Sequence, residues 1–202
     1  MKLLIIRHGE SEADILDVHE GRADFNLTEK GHAQAQAMAE YIKERCTIHK
    51  IYASPLKRAF QTATHLSDVT GVPVITEEKL MEFNNGLIAG LSWAEADEKY
   101  PLVPNLPVHA SVYEQESKLE FRYRAEYVLS KIIAENEDDS TVAIVSHGGM
   151  INQLYQAFLK LPVTSGMTFP TSDTGIHEWM LRGEERYVLR ANGTTHLTKE
   201  LQ

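Results

Sequence analysis

The sequence predicts an α/β protein, a three-layer α/β/α sandwich around a mostly parallel central sheet. Three observations carry that expectation. Short apolar runs alternate along the chain with segments of helical period, the order that gives strand–helix–strand crossovers. Two of those runs, Lys2 to Ile6 ("KLLII") and Thr141 to Ser146 ("TVAIVS"), are largely continuous rather than alternating, as expected of strands covered on both faces. Low-complexity tracts, internal repeats and Pro/Gly-rich linkers are absent from the 202 residues, which suits a single domain over 1–202.

Each element has local reasons. Thr28 to Cys46 reads as a helix with Thr28 as N-cap and Ala35, Met38, Ala39 and Ile42 on one stripe. Lys50 to Ser54 is a short strand. Ser54 is then expected to cap the next helix, with Pro55 at its first position and Gly71 as its stop. Val72 to Thr76 is another strand, and Asn84 to Gly90 is rich in turn residues. Ser92 and Glu95 form a capping box for a short helix ending before Pro101. Pro101 to Tyr113, with Pro104 and Pro107, reads as a loop or lid, and 83–115 as a variable segment facing a substrate. Glu116 to Glu135 and Gly148 to Leu159 are helical. Strands at Ile176 to Leu181 and Arg186 to Arg190, joined at Arg182 to Glu185, complete the pattern.

Composition narrows the function. The formal net charge of −9 is wrong for a nucleic-acid reader, which needs a basic face. A few convergent arginines can still make a positive pocket in an acidic chain. No apolar run approaches the ~20 residues of a membrane span. The single cysteine, Cys46, has no internal disulfide partner, so a reducing cytoplasm is the expected setting.

The chemistry sits at strand ends, where the active sites of parallel sheets form. The first buried strand ends in Arg7-His8-Gly9, and "TVAIVS" runs into His147-Gly148-Gly149. Arg58 falls in the first turn of the helix that follows Ser54, and the glycines after His147 open another helix. Two arginines, two histidines and two helix N-termini around one point suit a phosphoryl group. Neutral imidazole can attack phosphorus, and the leaving alkoxide needs a proton. Glu82, in "KLMEFNNG", is the carboxylate best placed by sequence to supply it.

Other chemistries fit less well. His32, His49, His65 and His177 stand singly, without metal-ligand spacing, so no metal or other cofactor is expected. A nucleophile elbow at Ser146 would need glycine at Ile144. Dinucleotide and P-loop glycine motifs are missing. Cys46 reads as a packed apolar residue.

"RHGES" (Arg7 to Ser11), "GRADFNLTEKGHAQA" (Gly21 to Ala35), "SPLKRAFQTA" (Ser54 to Ala63), "SHGG" (Ser146 to Gly149) and "ANGTTHL" (Ala191 to Leu197) resemble the histidine phosphatase superfamily, that of cofactor-dependent phosphoglycerate mutases. The resemblance runs in order over nearly the whole chain. It implies a phosphoglycerate mutase-like fold and metal-independent hydrolysis of a small phosphorylated substrate. In that chemistry His8 attacks, Arg7, Arg58 and His147 hold the phosphoryl group, and Glu82 is first acid and then base. Asp14, Glu20, Gly21 and Gly148 are implied on the substrate side. The mutases carry a paired-arginine insert that the stretch from Glu95 to Ser117 lacks, and Glu116-Ser117 is similar to the phosphatases, so phosphatase is favoured. The alternatives are mutase-type phosphoryl transfer and a non-catalytic phosphate-binding module of the same fold.

Two departures stand out. The family's E-x-x-F-G-x-W-E-G pattern appears as "EFNNGLIAG" (Glu82 to Gly90), without its aromatics. Asp14 stands where the family usually has a phosphate-binding Asn. A carboxylate facing phosphate unpaired would repel it, so Asp14 should be turned away, protonated, or paired with Arg7 or Arg22.

Overall fold

The first strand, β1 (Lys2–Arg7), shows why its run is apolar throughout. Leu3 and Ile5 enter one core while Leu4 and Ile6 enter another on the opposite face. In the computed structural model, which describes residues 1–202, β1 lies inside a six-stranded sheet. After it come α1 (Glu12–Leu16), α2 (Glu29–Lys43), β2 (Lys50–Ala53), α3 (Lys57–Thr70) and β3 (Val74–Thr76). Then follow α4 (Trp93–Lys99), α5 (Lys118–Ala134), β4 (Thr141–Ser146), α6 (Gly148–Phe158), β5 (Ile176–Arg182) and β6 (Glu185–Gly193).

The strand order is β3-β2-β4-β1-β5-β6. The first four strands run parallel, and the β5–β6 hairpin adds to β1 antiparallel. Helices α2 and α3 cover one face with Met38, Ala39, Ile42, Ala63 and Leu66. Helices α5 and α6 cover the other with Val128, Ile132, Leu154 and Phe158, joined by Trp179 from β5. These are the three layers that the alternation of strand and helix predicts. No helix is long and apolar enough to cross a membrane.

Register positions the site. Arg7 of β1 is level with Ser146 of β4, and Ala53 of β2 with Val145. His8, His147 and Ser54 therefore leave three neighbouring strands at one edge, and the two imidazole centroids are 5.1 Å apart.

Most caps agree with the sequence. Thr28 Oγ1 accepts from Gly31 N–H at 3.0 Å, and Gly71 closes α3 with a left-handed φ of 74°. Ser54 does not cap α3. The helix begins at Lys57 and its N-cap position is Leu56, with no side-chain bond. The Ser54 hydroxyl lies instead 2.8 Å from His147 Nε2, so the site has claimed the cap. Helix α1 was not expected, although Ser11 and Asp14 form its capping box. The 83–115 segment contains α4 and a short 3₁₀ turn at Gly86–Ile88.

The turn after β1 packs directly on the start of α2. A Cβ on Gly9 would lie 2.5 Å from Gly31 O, and one on Gly31 would lie 2.0 Å from Glu10 O. Only glycine allows backbones this close. With backbone rather than a movable side chain in the way, Gly31→Ala should cost towards the upper end of the roughly 1–3 kcal/mol of overpacking, a net destabilisation of about 2 kcal/mol after alanine's helix propensity returns about 1 kcal/mol. An unchanged urea midpoint would refute the tight approach.

Candidate active site

His8 follows β1 and is 1% exposed. Its Nδ1 is 2.7 Å from Gly9 O. A carbonyl only accepts, so Nδ1 carries the hydrogen and Nε2 keeps its lone pair. Arg58 Nε donates towards that lone pair at 3.3 Å. Burial, then the charges of Arg58 and Arg7, hold the imidazole well below the ordinary histidine range, and the Gly9 bond opposes them only in part. His8 is thus a neutral, oriented base.

Arg58 is fully buried at the start of α3. It donates to Ala23 O at 2.9 Å and Gly21 O at 2.8 Å, and its Nε is 3.1 Å from Glu20 Oε1. Arg7 donates to Thr171 O at 3.0 Å and pairs with Asp173 at 3.3 Å, while its buried Nε meets no protein partner.

His147 sits at the N-cap position of α6, fully buried. Ser54 Oγ accepts from Leu56 N–H at 3.3 Å, and its own hydrogen meets no acceptor but His147 Nε2, so the ring hydrogen is assigned to Nδ1. That Nδ1 is buried and without a protein partner. Burial, Arg58, His8 and Arg7 all keep this ring neutral as well. Glu82 is brought to the same helix start. Its Oε2 accepts from Gly149 N–H at 2.8 Å and its Oε1 from Phe83 N–H at 2.7 Å. A Cβ on Gly149 would lie 2.5 Å from Glu82 Oε1, so the second glycine of "SHGG" makes room for the carboxylate.

The five residues expected to do chemistry thus converge. The four expected on the substrate side separate. Glu20 Oε2 lies 3.6 Å from His8 Nε2, at the centre of the site. Gly21 offers its carbonyl to Arg58, so it holds the arginine. Gly148 opens α6, where its N–H has no intrahelical acceptor. Asp14 is exposed, and its Oδ2 accepts from Ser11 N–H at 2.8 Å and lies 3.1 Å from Ser11 Oγ. The cation pairing considered for it is not found: Arg7 holds Asp173, and Arg22 lies 3.6 Å from Glu116.

Several supporting residues escaped the sequence reading. Arg124 of α5 donates to the carbonyls of Lys79, Met81 and Glu82 and pairs with Glu116, clamping the segment that carries Glu82. Thr62 accepts from Gly9 N–H at 3.1 Å. The pattern Ser11-x-x-Asp14 was a legible signal; Arg124, in mid-helix, gave none. His32 and His65, read as isolated, pair with each other at 3.0 Å.

A cavity of about 560 Å³ lies under the 83–115 segment, with Phe83, Ile88, Tyr100 and Tyr113 among its walls. Its links to the reaction centre run through Phe83 and His19, sequence neighbours of Glu82 and Glu20; Arg7, His8, Arg58, Glu82 and His147 are not themselves among its walls.

The tautomer can be checked directly. Nitrogen-15 spectra should show His8 with hydrogen on Nδ1, still neutral as the pH falls through the ordinary value of about 6.5. The unfolded chain protonates there and the folded site does not, so His8 contributes stability above that pH and loses it below. A His8 resonance titrating near the ordinary value would refute the assignment.

Known proteins resemble this chain over most of its length. The chain is 27% identical over 205 residues to phosphoserine phosphatase 1 of Hydrogenobacter thermophilus, covering 98% of this chain and 94% of the relative. It is 31% identical to the glucosyl-3-phosphoglycerate phosphatase of Mycobacterium tuberculosis, over 81% of this chain and 78% of that one. Among solved structures, Bacillus stearothermophilus YhfR superposes with a TM-score of 0.85 at 25% identity, over 96% of this chain and 98% of that one. The model of the histidine phosphatase superfamily (branch 1) matches residues 3–194, and the chain belongs to that family.

Proposed function

We propose that the protein hydrolyses a phosphomonoester through a phosphohistidine on His8. The observation that carries this is the His8 ring. Its hydrogen is fixed on Gly9 O, and its lone pair is presented where Arg58, Arg7 and the α6 start can hold a phosphoryl group. A module that only binds phosphate has no need of a tautomer-fixed nucleophile.

The reaction follows from the groups. The Nε2 lone pair attacks phosphorus as the P–O ester bond breaks, and charge on the equatorial oxygens meets Arg7, Arg58, His147 Nδ1–H and the free N–H of Gly148. Glu82 gives its proton to the departing oxygen. Water then attacks phosphorus as the P–Nε2 bond breaks, Glu82 takes up the water's proton, and phosphate leaves neutral His8 behind. The phosphorylated substrate is a small one whose alcohol extends into the cavity under 83–115. The cavity supports hydrolase over mutase: its charged lining, Asp97, Glu116 and Lys118, is acidic on balance and offers no paired cations for a second phosphate.

Quenching working enzyme in alkaline denaturant should trap phosphate bonded to His8, labile to acid and stable to alkali. His8→Ala should abolish both the label and turnover, and substantial residual activity would disprove the assignment. Glu82→Gln should slow phosphorylation of His8 by alkyl phosphates about 10²–10⁴-fold, yet slow phosphorylation by an activated aryl phosphate little, because the aryl oxide leaves without a proton. The later hydrolysis step, where Glu82 is the base, slows alike for both. Equal losses in the phosphorylation step, read from single-turnover release of the alcohol, would remove Glu82 as the acid.

A further inference from the structure

Ser11, Asp14 and Glu20 form a cluster that is one hydrogen short. Ser11 Oγ lies within hydrogen-bonding distance of Glu20 Oε1 and of Asp14 Oδ2. A hydroxyl has one hydrogen and can donate to only one of them. Towards the other it meets oxygen with oxygen, a contact that becomes a hydrogen bond only when that carboxyl carries a hydrogen. Asp14 already receives Ser11 N–H on the same oxygen and faces solvent. Glu20 is enclosed, its side chain 20% exposed, so the missing hydrogen is assigned to Glu20.

The position of Glu20 gives that hydrogen a consequence. The charged and titratable groups facing it are Arg58 from α3, His8 and Arg7 from the end of β1, and Asp14 from α1. Its two oxygens lie 3.1 Å from Arg58 Nε and 3.6 Å from His8 Nε2, the two atoms that a transferring phosphoryl group must approach.

We propose that Glu20 gates the anion site through its own proton: the neutral carboxyl admits a phosphoryl group against His8 and Arg58, and the carboxylate, an anion already beside both, excludes it. This rests on the reading of His8 and Arg58 as the phosphoryl site. Burial pushes the Glu20 carboxyl up, opposed by Arg58, so the transition lies above the ordinary glutamate range.

Sulfate remains a dianion across the neutral range, so its binding reports only protein groups. It should be titrated calorimetrically into the wild type and Glu20→Gln at a series of pH values, in buffers of different ionisation heat. Above the Glu20 transition, wild-type affinity should fall about tenfold per pH unit, with uptake approaching one proton per sulfate. The Gln variant should lack that proton and that slope; any uptake by His8 or His147 is common to both proteins and cancels. Ser11→Ala supplies a second test with a decisive sign. If Ser11 accepts the Glu20 hydrogen, its loss moves the transition to lower pH; movement to higher pH, or none, overturns the proposal. Parallel profiles for wild type and Glu20→Gln sink the gate alone. Failure of sulfate to bind either protein at any pH sinks the anion site itself, and the gate with it.

Discussion

The site is organised around one buried cation. Arg58 has no exposure, and an ion taken out of water without partners costs several kcal/mol. Its guanidinium is compensated by two carbonyls, the Glu20 carboxyl and the His8 lone pair. The carbonyls of Gly21 and Ala23 fix the loop after α1, which in turn fixes Glu20. The same charge helps keep His8 and His147 neutral. Losing the guanidinium would thus remove an anion ligand, free a loop and leave the Glu20 carboxyl without its partner.

The sheet makes this convergence possible. Parallel neighbours bring their carboxyl ends to one edge, and the level register of Arg7 with Ser146 sets His8 beside His147. Adding β2 to β4 brings in Ser54, whose hydroxyl orients the second ring. One short stretch of backbone therefore supplies both strand hydrogen bonds and chemistry. Arg124 shows the same economy from the far layer. Its single side chain ties α5 to three carbonyls before and at Glu82, so the proposed acid is steadied by the core rather than by its own turn-rich segment.

Much of this was legible in the sequence because the signals were local. The continuous apolar runs gave the central strands, and Arg7, His8, Arg58 and His147 lie where strand ends and helix starts predict, whereas Glu82, expected at a strand end, follows a 3₁₀ turn at Glu78–Leu80 beyond β3. The failures were tertiary. Ser54 carries every local mark of an N-cap before Pro55, yet a histidine from another strand takes its hydroxyl and α3 begins later. Arg124 looks like any arginine on a helix until the fold places carbonyls in front of it. Asp14 was weighed against phosphate and cations, whereas Ser11, three residues away, is its partner. Helix α1, five residues long, lies below the length at which periodicity speaks.

The acidity of the chain then acquires a specific meaning at the site. Each cation that could meet an anion already has an acidic partner: Arg58 has the Glu20 carboxyl, Arg7 has Asp173, and Arg124 has Glu116. An arriving phosphoryl group exchanges partners with these groups instead of meeting bare charges, which moderates ground-state affinity. Besides the Gly148 N–H, the side-chain donors still open are Arg7 Nε and His147 Nδ1, both buried and neither matched by protein. Donors held ready in this way favour the state in which charge on the phosphoryl oxygens is greatest, at no cost of reorganisation. Moderate binding of substrate and product, with stronger engagement during transfer, is the division of binding energy that turnover requires.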